Sequence, residues 1–224
     1  MIIAIDGPSG AGKSTLGRMI ARELGLLYID TGAMYRAAAL AVIRSGVSTQ
    51  VAQAVAKITS DADIGLKGDP DSLRVTLDGE DVSEEIRSEE VSHTASLIST
   101  ISEVRRALVS RQRELGEQGR GAVLEGRDIG AVVFPNADLK FFLTAMPEAR
   151  AERRFEEDRL HDRDANYEST LADINRRDQR DSTREDSPLT IGEDAIVIDS
   201  SELSIDEVYE RMMGEIKEKQ DLQS

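Results

Sequence analysis

Eight residues near the start of the chain, Gly7-Pro8-Ser9-Gly10-Ala11-Gly12-Lys13-Ser14, have the spacing G-x-x-x-x-G-K-S of a phosphate-binding loop. Glycines let backbone N–H groups converge on an anion, and a helix that follows adds the partial positive charge of its N-terminus. In that pattern Lys13 reaches the β- and γ-phosphates, and the Ser14 hydroxyl holds Mg²⁺. A nucleoside triphosphate is the expected ligand. Further along, charge gathers at the ends of apolar runs, in Asp30-Thr31-Gly32-Ala33-Met34-Tyr35-Arg36 and in Gly126-Arg127-Asp128-Ile129-Gly130. Open α/β sheets place ligands at such strand ends. Thr31, Tyr35 and Arg36 are therefore candidates for a second substrate. A plainer account makes Asp30 or Thr31 a helix cap, but it leaves Arg36 unexplained.

Several elements must position these groups. Ile2, Ile3, Ala4 and Ile5 read as a buried parallel strand. Leu16, Met19, Ile20 and Leu24 recur at helical spacing, with Gly25 placed to stop the helix. Leu26-Leu27-Tyr28-Ile29 reads as a second strand, followed by an alanine-rich helix to about residue 44 and a weak helix within 47–62. Residues 63–87 change period: Leu73, Val75 and Leu77 alternate before Asp78-Gly79, which predicts a small antiparallel sheet with a hairpin. A helical stretch over 88–118 has a break near Thr100, and most of Arg105, Arg106, Arg111 and Arg113 are expected in solvent. Strands are predicted at 122–125, 139–143 and 195–199, and an amphipathic helix from Ser204 to about residue 217. Between them, 147–184 carries nine arginines (150, 153, 154, 159, 163, 176, 177, 180 and 184) among many acidic residues. Few apolar residues interrupt it, so it is expected as an exposed helical hairpin with most of its arginines solvated. The predicted architecture is α/β: a five-stranded parallel sheet with helices on both faces, one antiparallel insertion and an arginine-rich flap.

Composition narrows the function. The chain has 224 residues, 39% hydrophobic and 32% charged, as expected of one globular domain. No apolar run is long enough to span a membrane, and strand and loop begin at once, so no leader segment is expected. Absence of cysteine excludes disulfides and thiolate metal sites and suits the cytoplasm. A net charge of −15 disfavours nucleic acid and anionic lipid as partners. Basic residues comprise 22 arginines and 6 lysines; arginine forks suit bidentate grip on phosphate, although a general arginine bias explains the excess as well.

The γ-phosphate needs a destination. No N/T-K-x-D element is present to read guanine, and the compact chain lacks the further domains of motors and transporters. Single arginines at strand ends and on a flap suit two anions held in line, and phosphoryl transfer needs mainly positioning and charge neutralisation. His93 and His161 lie outside the strand-end motifs. A phosphate acceptor is its own nucleophile, whereas an alcohol would use a base such as Asp30 or Asp128. The histidine pattern leans towards the phosphate.

Four blocks together, Ile5 to Thr15, Asp30 to Arg36, Gly126 to Gly130 with Val133-Phe134-Pro135, and Arg177-Asp178-x-x-Asp181-x-x-Arg184, resemble the bacterial cytidylate kinases in order and spacing. These are nucleoside monophosphate kinases of the P-loop NTPase type. The resemblance implies a single domain over 1–224 with a three-layer core, a monophosphate-binding insertion over about 60–118 and a lid over about 150–184. It implies transfer of phosphate from ATP to CMP or dCMP with Mg²⁺. By position, Arg36, Arg127 and Arg184 clasp the CMP phosphate, and Ser96, Arg105 and Asp128 read the cytosine edge. Thr31, Arg177 and Asp181 lie by sugar and phosphate, with Tyr35 alongside. Gly7 to Thr15 hold ATP, and Arg150, Arg153, Arg154 and Arg159 belong to the lid, with Arg153 and Arg154 expected on ATP. Lys13, Arg127, Asp128 and Arg184 are the expected catalytic set, and a monomer is expected. Thr31 stands where serine is frequent in the family; both carry a hydroxyl. Competing expectations are a kinase for another nucleotide or for an alcohol such as shikimate, and a nucleotide-dependent interaction switch.

Overall fold

A computed structural model describes residues 1–119, 121–160 and 166–222. In chain order its elements are β1 (Ile2–Asp6), α1 (Lys13–Leu24), β2 (Leu27–Asp30), α2 (Thr31–Ser45), α3 (Ala52–Asp61), β3 (Ile64–Lys67), β4 (Arg74–Leu77) and β5 (Glu80–Asp81). There follow α4 (Glu89–Ile98), α5 (Ser102–Gly116), β6 (Ala122–Gly126), β7 (Leu139–Thr144), α6 (Pro147–Leu160), α7 (Tyr167–Thr183), β8 (Ile196–Asp199) and α8 (Ile205–Asp221). Five strands form a parallel sheet in the order β2-β6-β1-β7-β8, and β3-β4-β5 form a separate antiparallel sheet. This is the expected fold class. The chain divides into two compact units, Met1–Ile20 with Glu125–Ser224, and Ala21–Leu124.

In the first unit, β1 pairs with β7 in register Ile3 to Leu139 through Asp6 to Phe142, and β7 pairs with β8 from Phe141–Ile196 to Thr144–Asp199. Ile3, Ala4, Ile5, Phe141 and Leu143 are buried, because strands covered on both faces need apolar residues at successive positions. Helix α8 packs on β7 through the stripe Val208, Met212, Met213 and Ile216. Its start is fixed by a capping box: the Ser204 hydroxyl accepts from Glu207 N, and the Glu207 carboxylate accepts from Ser204 N at 2.9 Å. Helices α6 and α7 pack against each other, tied by the edge of Tyr167 against Phe155. This is the expected hairpin, yet Arg150 and Arg184 are buried rather than solvated. The structure also has an element to which the sequence pattern points nowhere. Residues 129–133 make one wide helical turn in which Asp128 O accepts from Val133 N and Ile129 O from Phe134 N. Such i→i+5 turns recur at functional positions.

In the second unit, α2 packs against α3 and α4, and α3 against α5. Ala33, Ala37, Ala38 and Ala39 of α2 are fully or almost fully buried; small side chains let neighbouring elements approach closely. Asp30 caps α2 by accepting from Ala33 N at 2.8 Å. The β4–β5 hairpin turns at Asp78 (φ 51°) and Gly79 (φ 86°), two left-handed residues as a two-residue turn of this hand needs. The helical stretch breaks at 99–101, between α4 and α5.

Candidate active site

The phosphate loop joins β1 to α1 within the first unit. Gly7 stands at φ +145° and a Cβ there would lie 2.0 Å from the carbonyl oxygen of Leu143; at Gly10 (φ +78°) it would lie 3.1 Å from the Arg150 Cβ. Both positions exclude a side chain, so the loop runs close against Leu143 and Arg150. Lys13 opens α1 and is buried, its ammonium donating to Pro8 O at 2.7 Å. Burial, and then the Arg127 guanidinium, push the Lys13 ammonium down to about 7, against the opposing pull of Glu125, Asp6 and Asp181. An anion beside it would favour the charged form that burial disfavours.

The loop after β6 brings the next charges. Arg127 Nε donates to Asp181 Oδ2 at 2.8 Å, and its Nη1 to Gly126 O at 3.3 Å. Arg184 Nη2 lies 3.6 Å from Asp128 Oδ1, with both side chains almost entirely buried. Arg184 Nε donates to Ser187 O, and Asp181 O accepts from Leu189 N at 2.8 Å, which fixes the chain beyond α7. Arg177, four residues before Asp181, is half-buried on α7. Thus Lys13, Arg127, Asp128, Asp181 and Arg184 are brought together in one unit, and buried Asp6 and Glu125 join them. Neither of the last two is among the residues expected at the site. The signal for Asp6 is a lone acid ending the otherwise apolar strand Ile2-Ile3-Ala4-Ile5.

The arginines of α6 play unlike parts. Arg150 is 2% exposed: Nε donates to Ala145 O (2.9 Å), Nη1 to Ser9 O (3.0 Å) and Nη2 to Asp178 Oδ2 (2.5 Å). It bolts the phosphate loop to α6 and α7. Arg153 donates to the Ser200 hydroxyl at 3.1 Å and to the Ser200 carbonyl, at the turn before α8. Arg154 is exposed and pairs with Asp158 at 3.2 Å along its own helix, and Arg159 lies over the Phe155 ring at 5.7 Å. Arg163 and His161 lie outside the described residues.

The second unit contributes a separate cluster. Arg36 Nη2 donates to Asp30 Oδ2 at 3.2 Å, so Asp30 both caps α2 and holds Arg36. Thr31 is buried at the head of α2. Arg105, on α5, is 3% exposed and its guanidinium stands 6.0 Å from the Tyr35 ring centroid, a cation–π distance. Its Nη1 lies 3.5 Å from Ser99 O. The expectation that the arginines of this helix are mostly in solvent holds for Arg106 and Arg113, while Arg111 is half-buried and Arg105 buried. Ser96 is half-buried on α4, its carbonyl accepting from the Ser99 hydroxyl at 2.9 Å.

Known proteins resemble this chain over nearly its whole length. The family model described as Cytidylate kinase matches residues 3–218. The curated cytidylate kinase of Caldanaerobacter subterraneus subsp. tengcongensis is 50% identical over 215 residues, 96% of this chain and 94% of that protein. That of Caldicellulosiruptor bescii is 50% identical over 211 residues (94% and 93%), and that of Geobacter sp. 47% over 219 residues (98% and 94%). Among solved structures, an uncharacterized protein from Eubacterium ventriosum aligns with a TM-score of 0.52 at 11% identity, over 97% of this chain and 98% of that one. That likeness concerns the fold alone.

Proposed function

We infer the reaction from family membership, since this chain belongs to the cytidylate kinase family: it transfers the γ-phosphoryl group of ATP to CMP or dCMP, giving ADP and CDP or dCDP. The observation that carries the assignment of roles is the gathering of Lys13, Arg127 and Arg184 with the phosphate loop in one compact unit. Transfer between two phosphates is a problem of bringing anions together, and buried cations address it where the dielectric is low. Gly7 to Thr15 hold the ATP phosphates through backbone N–H groups, and Lys13 follows the charge of the group in flight. Arg127 and Arg184 take the acceptor phosphate with forked donors, as does Arg36. Their carboxylate partners Asp181, Asp128 and Asp30 keep the guanidinium planes oriented. Thr31, Arg177 and Asp181 serve the sugar and phosphate, with Tyr35 beside them.

The CMP phosphate oxygen attacks without a general base, because a dianion is already a nucleophile. Water is the competitor, and helices α6 and α7 supply the lid against it. Arg153 and Arg154 are its candidates on ATP. Ser96, Arg105 and Asp128 discriminate the base: the carboxylate accepts from the exocyclic N4 amino group that uracil lacks, and the guanidinium suits the O2/N3 side.

Mg²⁺ fits the residues present. Among the described residues, no cluster of three or more histidines, cysteines or carboxylates offers a metal cage, and Mg²⁺ of this class arrives on the nucleotide, taking few protein ligands. The Ser14 hydroxyl at the head of α1 is the ligand this chain supplies. When bound, the ion neutralises β- and γ-phosphate charge. Among the described residues no helix is long and apolar enough to cross a membrane. The reading takes the enzyme as a cytoplasmic monomer acting on small nucleotides.

Arg105→Ala tests the acceptor assignment. The CMP KM is expected to rise about tenfold or more, as removal of a buried charged contact implies, while the ATP KM moves less than about twofold. Equal loss on both substrates, or equal use of CMP and UMP by the unaltered enzyme, contradicts the base-reading role.

A further inference from the structure

The mechanism above gives Asp6 no part, yet its carboxylate is the link between the phosphate loop and the loop that carries Arg127 and Asp128. Asp6 is the last residue of β1, one position before Gly7, and is 7% exposed. Both oxygens are used. Oδ1 accepts from Ile129 N and Oδ2 from Gly130 N, each at 2.8 Å. Those two N–H groups open the wide turn whose carbonyls at Asp128 and Ile129 accept from Val132, Val133 and Phe134. At the start of a helical turn such donors have no partner within the turn, so Asp6 completes it from another strand. Gly130 lies close by: a Cβ there would meet the Lys140 side chain at 3.0 Å and touch Asp6 Oδ2 at 3.4 Å. Burial pushes the Asp6 carboxyl up to about 6, against the two backbone N–H groups, with Asp128 adding to the rise and Lys13 opposing it. Holding a carboxylate there is costly, and a site whose only task was packing would be filled more cheaply by an apolar residue.

We propose that Asp6 is a positioning residue, which fixes the distance of Arg127 and Asp128 from the phosphate loop by gripping the turn that follows them. The proposal rests on the acceptor-side reading of those two residues. Its physical basis is the sensitivity of in-line transfer to placement, where a shift of about 1 Å can cost about 100-fold. Asp6→Asn keeps the shape but turns one acceptor into a donor aimed at an N–H group, so one end of the grip opens.

The test compares Asp6→Asn, Asp6→Glu and Asp128→Asn with the unaltered enzyme, with melting temperature as the check on folding. For Asp6→Asn we expect kcat/KM for CMP to fall about tenfold or more, ATP affinity by equilibrium titration to stay within about twofold, and preference for CMP over UMP to narrow. Asp6→Glu, which keeps both acceptors but lengthens the reach by one methylene, should do the same. A folded Asp6→Asn enzyme with kcat/KM for CMP within about twofold of normal overturns the proposal, as does parallel loss of ATP affinity. If Asp6→Asn does not fold, Asp6→Glu decides on the same criteria. If Asp128→Asn leaves the CMP-to-UMP preference intact, base reading by Asp128 is what fails, and Asp6 is then judged on kcat/KM and ATP affinity alone.

Discussion

Lys13 concentrates the electrostatics of the site in one atom. Its ammonium is buried, its ordinary charge opposed by burial and by Arg127, and its value lowered to about 7. In the proposed site a triphosphate beside Lys13 would stabilise the charged form, so ATP binding would take up a proton whenever the free enzyme's lysine is neutral. The sign follows: below about 7 the ammonium is already present and this group adds no pH dependence, whereas above it affinity falls by up to about tenfold per pH unit. Calorimetric titration from about pH 7 to pH 9 in buffers of different ionisation enthalpy should show this proton uptake. Affinity that is flat over that range in the unaltered enzyme, or an identical slope in Lys13→Met, contradicts the account. The same lowered value burdens the fold. Below the ordinary value of 10.5 the unfolded chain carries the charge more readily than the folded one, and the penalty is complete below about 7.

At the scale of elements, the loop, α6 and α7 act as one piece because Arg150 reaches all of them through three directed contacts. Lysine keeps the charge but offers a point donor where a planar fork is used. Arg150→Lys should therefore weaken ATP affinity about tenfold, the scale of one or two lost charged hydrogen bonds, with CMP affinity affected less. Unchanged ATP affinity in a folded variant removes Arg150 from this role. The case also shows what a sequence conveys about such an element. Charge density across 147–184 announces an exposed helical hairpin, and α6 and α7 form one. Burial of Arg150 leaves no trace in it, because two of its three partners are backbone carbonyls. The strands tell the opposite story. Ile3 to Ile5 and Leu139 to Leu143 are legible because a strand covered on both faces must be apolar at successive positions. The wide turn at 129–133 is illegible, since its hydrogen bonds have no residue period, and its cap, Asp6, is 123 residues away from Ile129.

On the scale of the whole molecule, a charge of −15 over 224 residues sets a background of self-repulsion. Exposed pairs such as Arg44 with Glu80 and Glu85, or Arg22 with Asp71, are local exceptions, each contributing little. Raising salt from about 0.1 M to about 1 M shortens the screening length from about 10 Å to about 3 Å. It should raise the melting temperature, because the long-range repulsion it removes outweighs those pairs. A lower melting temperature in high salt refutes that balance. Acidity of this degree is legible in composition, and the donor in the spacing of the loop Gly7 to Ser14. The acceptor is legible only through four separated blocks taken together, because Arg36, Arg127 and Arg184 are individually unremarkable among 22 arginines.

The central claim is that the phosphate leaving ATP goes to a cytidine monophosphate. It is tested most directly by ADP release at a fixed ATP concentration with CMP, dCMP, UMP, AMP or shikimate as the added acceptor. The account predicts multiple turnovers with CMP and dCMP, with the label from γ-labelled ATP recovered in CDP or dCDP, and far slower turnover with the other three. ADP release independent of any acceptor, or strongest with UMP, AMP or shikimate, would contradict it.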